Sequence, residues 1–136
     1  IMSAAVSIGS SFCSNHNVLI REKRLIGSHV SIGTGAVIEE HCKIEDDYNL
    51  QSLINLPTNT SLGSYVFICP NTVCTNDTYP PNKSHDLMRP FIDDHASIGA
   101  NVTILPGVHK GSDSLIAASS VTTKSMTNEE LAIANI

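Results

Sequence analysis

The feature that constrains this chain most is an apolar repeat with a period of six. Stepping from Ile8 gives Ser14, Ile20, Ile26, Ile32, Ile38, Ile44, Leu50, Leu56, Leu62, Ile68 and Cys74, and ten of these twelve anchors are Ile or Leu. The residue four places after each anchor is mostly small or β-branched, as at Val18, Val30, Ala36, Ile54, Val66 and Thr72. The frame lapses after Cys74 and resumes in phase at Ile92, Ile98, Ile104, Lys110 and Ile116. An amphipathic helix needs alternating spacings of three and four, and a hairpin sandwich needs longer runs of strict alternation. A period locked at six fits a three-sided coil in which each side is a short strand followed by a corner. The anchor and the residue two before it point inward.

Three hexads make one turn, so residues 18 apart are expected to stack, with layers about 4.8 Å apart. This spacing predicts one interior column of Ile8, Ile26, Ile44, Leu62, Ile98 and Ile116. It also puts Gly9, Gly27, Gly63 and Gly99 on one edge. Glycine after the anchor is expected to supply the positive φ of the corner, with Asn15, Asp46, Asn59 and Asn101 as substitutes. A single coil has no core of its own; the coils above and below bury it. The composition suits such thin layers, since aromatics are 4% and Trp is absent.

The segments IGSHVSIGTGAVI, VFICPNTVCTNDTYPP and ASIGANVTILPGV resemble the hexapeptide-repeat acyltransferases. Among these, the sugar-nucleotide N-acetyltransferases of polysaccharide biosynthesis are the nearest in pattern. The resemblance implies an all-β, single-stranded left-handed parallel β-helix over residues 1–122. A loop at 75–91 is thrown out of it, and a C-terminal tail or short helix covers 123–136. Thr127 and Glu130 have capping-box spacing for that helix. The handedness comes from the resemblance alone. So do the homotrimer, with active sites in the clefts between prisms, and the activity: transfer of acetyl from acetyl-CoA to an amino or hydroxyl group of a sugar or sugar-nucleotide.

The interruption is rich in Pro, Asn and Asp, and long ordered loops often carry function. Acetyl transfer needs a nucleophile beside the thioester and a group to take its proton. The candidate bases are Asp77 and His85 in the loop, and His16 in the segment HNVLIRE, which the resembling proteins also carry. The resemblance assigns Asn76, Gln51 and Tyr79 to the acceptor and Ala100, Ala118 and Lys124 to acetyl-CoA, Lys124 facing its phosphates as a point charge.

Several positions depart from the family pattern. Cys69 stands where glycine is usual, Leu53 where asparagine is frequent, and Ala117, Ala118 and Ser119 where Gly-Ala-Gly is common. Lys110 occupies an interior anchor, where an ammonium must either reach out or distort the coil. The alternative these departures favour is a degenerate, non-catalytic scaffold or trimerisation protein.

Net charge is −5, and no basic stripe suits nucleic acid. No apolar run is long enough to span a membrane. Nothing at the start resembles a secretory signal, so a cytoplasmic location is expected. Cys13, Cys42, Cys69 and Cys74 lack zinc or disulfide spacing and are read as reduced thiols. No metal is expected. The histidine spacing of hexapeptide-repeat carbonic anhydrases is missing, and His29, His41, His95 and His109 are read as turn or surface residues.

Overall fold

A computed structural model describes residues 6–22, 24–81 and 87–132. Among them the regular secondary structure is entirely β, in three parallel sheets that the chain visits in rotation. The first sheet stacks β1 (Val6–Ile8), β4 (Arg24–Ile26), β7 (Lys43–Ile44), β10 (Ser61–Leu62), β13 (Phe91–Ile92) and β16 (His109–Lys110). The second stacks β2 (Cys13–Ser14), β5 (Ser31–Ile32), β8 (Asn49–Leu50), β11 (Phe67–Ile68), β14 (Ser97–Ile98), β17 (Leu115–Ile116) and β19 (Leu131–Ala132). The third stacks β3 (Leu19–Ile20), β6 (Val37–Ile38), β9 (Asn55–Leu56), β12 (Val73–Cys74), β15 (Thr103–Ile104) and β18 (Val121–Thr122). The expected parallel β-helix is therefore present, at about seven turns.

The anchors fill the interior as the hexad predicts. Ile32, Ile38, Leu56, Ile68 and Ile104 are fully buried, with Val30, Ala36, Val66 and Val102 between them. Each buried Ile or Leu contributes about 1.5–3 kcal/mol. Backbone hydrogen bonds join each coil to the next, as in Gly33 N to Leu50 O at 2.7 Å and Val37 N to Ile54 O at 2.8 Å.

Three expectations need correction. The first concerns the columns. Leu62 pairs with Ile92, and Ile92 with Lys110, so the first-sheet column runs Ile8, Ile26, Ile44, Leu62, Ile92, Lys110. Ile98 and Ile116 belong to the second-sheet column, above Ile68. Gly99 accordingly leaves the Gly9–Gly27–Gly63 edge and abuts Ala117 and Ala118. The physical reason is the loop. It lengthens one corner by two hexads, which preserves the period of six but shifts the period of eighteen.

The second concerns the corners. Positive φ falls three residues after the anchor, at Ser11, Asn17, His29, Gly35, His41, Asp47, Leu53, Asn59, Tyr65, Asn71, His95, Asn101, Gly107, Asp113 and Ser119. Asn59 and Asn101 do take it. Asn15 instead extends to donate to Ile32 O, and the Asp46 carboxylate accepts from Ser28 N at 2.7 Å. Glycine directly after the anchor serves a different end. A Cβ on Gly27, Gly33 or Gly63 would come within 3 Å of the adjoining coil.

The third concerns the C-terminal helix. Glu130 does accept from Thr127 N at 2.8 Å. The chain then continues into β19, which pairs with β17, rather than into a helix. Leu131 and Ala132 keep the outward–inward alternation of the strands beneath them.

Lys110 resolves its conflict without a bulge. Strand β16 keeps its register on β13, and the side chain is fully buried. Its ammonium donates to the carbonyl of Lys124 at 3.1 Å. Burial lowers its pKa to about 8, partly opposed by Glu130. The four cysteines are free thiols. Cys42 and Cys74 lie in the core, and burial, followed by the neighbouring Cys42, pushes the Cys74 thiol up to about 12.

Candidate functional site

The third sheet is bordered by two corners, and these hold most of the candidate residues. At the corner leading from the third sheet back to the first, the chain leaves the prism. Cys74 ends β12 and Phe91 begins β13, with eighteen residues from anchor to anchor where six would suffice. The root of this loop is tied down. Thr75 Oγ1 donates to Ile104 O at 3.0 Å, Met88 N donates to Asn76 O at 2.8 Å, and Gly107 N donates to Met88 O at 3.0 Å. Met88 thus inserts one rung between the corner of β12 and the corner of β15. Gly107 has a φ of 72°, and a Cβ there would press into the Met88 side chain.

Beneath this root lies a cleft of about 470 Å³, lined by Glu39, Asn55, Pro57, Thr58, Val73, Cys74, Thr75, Asn76, Asp77 and Pro80. Its floor is the outward side of β9 and β12. Its rim is the corner itself and the first residues of the loop. Asp77 is half-buried, and its Oδ1 accepts from Tyr79 N at 3.1 Å, an Asx turn that sets the carboxylate's direction. Glu39 is held by Arg21, with Nη1 to Oε2 at 3.0 Å, while Nη2 of the same guanidinium reaches Glu40 at 3.2 Å.

Asn76 and Asp77 therefore meet on one cleft. Tyr79 is 83% exposed and does not line it. Lys124 is exposed on the same edge of the prism, in a later coil. His16, Gln51, Ala100 and Ala118 occupy the opposite border of the third sheet, at the corner that follows the second-sheet strands. His16 O accepts from Gly35 N at 3.0 Å, and Ala100 O accepts from Ser119 N at 2.8 Å, so they are parts of one corner ladder. Gln51 Nε2 bonds Asn49 Oδ1 at 2.5 Å. His85 lies outside the described residues.

Glu39, Asn55, Pro57, Thr58 and Val73 are additions from the structure. Their signal was in the spacing. Arg21, Glu39, Pro57 and Thr75 are each the residue after a third-sheet anchor, 18 apart, and so share one edge. On the first sheet, His109 Nε2 sits 2.7 Å from Asp93 Oδ2, beside the ring of Phe91. His109 is exposed, in keeping with its expected place on the surface.

No family profile matches the sequence. The chain is similar to a galactoside O-acetyltransferase of Lactococcus lactis, with 29% identity over 114 residues, spanning 78% of this chain and 49% of that protein. Among solved structures, it superposes on a GDP-perosamine N-acetyltransferase of Caulobacter crescentus in complex with CoA and GDP-perosamine. The TM-score is 0.52 at 16% identity, over 93% of this chain and 52% of that one. It also superposes on a hexapeptide-repeat-containing acetyltransferase of Vibrio cholerae. There the TM-score is 0.56 at 21% identity, over 91% of this chain and 66% of that one. The chain thus spans about half the length of the curated relative it matches. Its fold is that of the hexapeptide-repeat acetyltransferases.

Proposed function

We propose that the protein transfers an acetyl group from acetyl-CoA to an amino or hydroxyl group of a sugar or sugar-nucleotide. The observation that carries this reading is the cleft at the loop root. On a solenoid of the acetyltransferase type, it brings a half-buried carboxylate, Asp77, together with Asn76 and Asn55. The acceptor's nitrogen or oxygen attacks the thioester carbonyl. A C–N or C–O bond forms, the C–S bond breaks, and CoA leaves as the thiol. Asp77 takes the acceptor's proton and returns it to the departing thiolate, and Asn76 and Asn55 orient the sugar by hydrogen bonds. Lys124 faces the CoA phosphates, with Ala100 and Ala118 offering small side chains that let the pantetheine arm approach the backbone. His16 and His85 are the other candidate bases, and Gln51 and Tyr79 extend the acceptor contacts. A homotrimer supplies the second wall of the cleft. The relatives support this: one is named for O-acetylation of galactosides, another holds CoA beside a nucleotide-linked amino sugar.

The test is release of CoA thiol on mixing the protein with acetyl-CoA and a panel of galactosides, amino sugars and nucleotide-linked amino sugars. Asp77→Asn is expected to lower kcat by about 10²–10⁴-fold, the usual contribution of a positioned base. An unchanged rate in that variant removes Asp77 from the chemistry. No thiol release with any acceptor, together with no thermal shift on adding CoA, would favour the non-catalytic scaffold.

A further inference from the structure

The last described corner between the third and first sheets is shorter than the others. Lys110 bridges Met126, and the contacts of this layer join residues 16 apart, as in His109 N to Ser125 Oγ at 3.0 Å. Ordinary layers join residues 18 apart. In the six-residue corners between these two sheets, His41, Asn59 and Gly107 take positive φ. The residues that follow them, Cys42, Thr60 and Val108, are buried, two places before Ile44, Leu62 and Lys110. Residues 123–126, all of them described, include no positive φ, and Lys124, two places before Met126, is exposed. Its side chain has left the interior position that Cys42, Thr60 and Val108 hold.

The backbone of Lys124 is tied to the interior all the same. Its carbonyl accepts from Lys110 Nζ at 3.1 Å, and Lys110 is fully buried one layer below. A carbonyl turned inward without a donor is costly. Ile or Leu at position 110 would continue the column but has no proton to give, whereas a Lys ammonium sits at the end of a long apolar stem. Met126 N donates to His109 O at 2.8 Å, so the segment is held at a second point. Resting on the acetyltransferase reading above, in which Lys124 meets the CoA phosphates, we infer that Lys110 is a positioning residue. Its ammonium keeps the Lys124 carbonyl inward and thereby keeps the Lys124 side chain out on the edge of the prism. A point charge grips phosphate best when the backbone that carries it is fixed beforehand. Without the buried ammonium, the carbonyl turns to water and the stem of Lys124 loses its fixed origin.

The experiment is a calorimetric titration with CoA of four forms: the parent, Lys110→Met, Lys124→Ala and the double variant. Each single substitution is expected to weaken CoA binding about tenfold, the loss of one charge-assisted contact. The double variant should lie within about twofold of Lys124→Ala, because effects that pass through one residue do not add. Amide exchange at Met126, followed by NMR, should quicken about tenfold in Lys110→Met although the protein as a whole is no less stable. A merely structural role would move that amide in step with global stability. Should Lys110→Met misfold, Lys110→Leu serves in its place. Unchanged CoA affinity in either single variant, additive losses in the double one, or Met126 exchange that follows global stability overturns the inference. If the parent itself binds no CoA, the acetyltransferase reading falls, and the exchange rate of Met126 then decides by itself whether Lys110 positions Lys124.

Discussion

Lys110 is the residue least suited to its place. Every other described anchor of the first sheet is aliphatic, yet this one sets an ammonium in the stack between Ile92 and Met126. One carbonyl, that of Lys124, partners it. Its pKa is lowered from 10.5 to about 8, so the charged form is disfavoured by folding. Between about pH 8 and 10.5 the unfolded chain binds this proton and the folded chain does not. Stability at this site therefore rises with pH across that window, and its deficit is greatest below pH 8. Lys110→Met retains the volume and removes the charge. It is expected to stabilise the protein by about 1–3 kcal/mol at pH 7. The gain should shrink towards zero near pH 10.5. Paired urea denaturations of both forms at pH 7 and pH 10 check this, and a gain independent of pH would contradict the assigned cause.

At the scale of elements, the loop and the coils are separable. Residues 77–88 are the two hexads by which the corner after β12 exceeds an ordinary one. Excising them joins Asn76 to Arg89 and restores a six-residue step from Cys74 to Ile92. The shortened protein is expected to fold, with its melting temperature within a few degrees of the parent, since long surface loops add little to stability. Acetylation should be lost, because Asp77 and the rim go with the loop. Circular dichroism melting and the thiol-release assay report the two outcomes, and loss of folding would show that the loop holds the prism together. The same elements show what the sequence could disclose. Ile32, Ile44 and Leu56 announce the coil because burial demands aliphatic side chains at a fixed interval. The corner conformation was less legible. At Leu53 and Tyr65 the chain takes φ of 58° on residues with no intrinsic preference for it, so tertiary packing sets the conformation there. The glycines are plain in the sequence but their role is not, since close approach between coils leaves the same mark as positive φ.

For the whole molecule, stability is expected to run along the axis, because each coil touches only its neighbours. The coils from Ile32 to Ile68 are mostly aliphatic inside, with Cys42, Tyr48 and Thr60 among the buried side chains, whereas the coil from Lys110 to Thr122 encloses Lys110, Ser114, Ser120 and Thr122. The hydroxyls of Ser114 and Ser120 are buried there without hydrogen-bond partners, against one such group, the Tyr48 hydroxyl, in the middle coils. Amide exchange should therefore be faster by on the order of tenfold in that coil than in the middle ones. Uniform protection along the axis would refute this gradient. The site was only half legible at this scale. Asn76 and Asp77 stood out because they interrupt a repeat. Glu39 and Asn55 belong to unbroken hexads, and only the stacking of separate turns brings them to the cleft.

The rung formed by Asn76, Met88 and Gly107 has a mechanical consequence. Because it is shared, the root of the loop at Met88 cannot part from the prism unless a link between two neighbouring layers also breaks. Whatever grips the excursion is thereby braced against the layer above, from which the prism climbs toward Lys124.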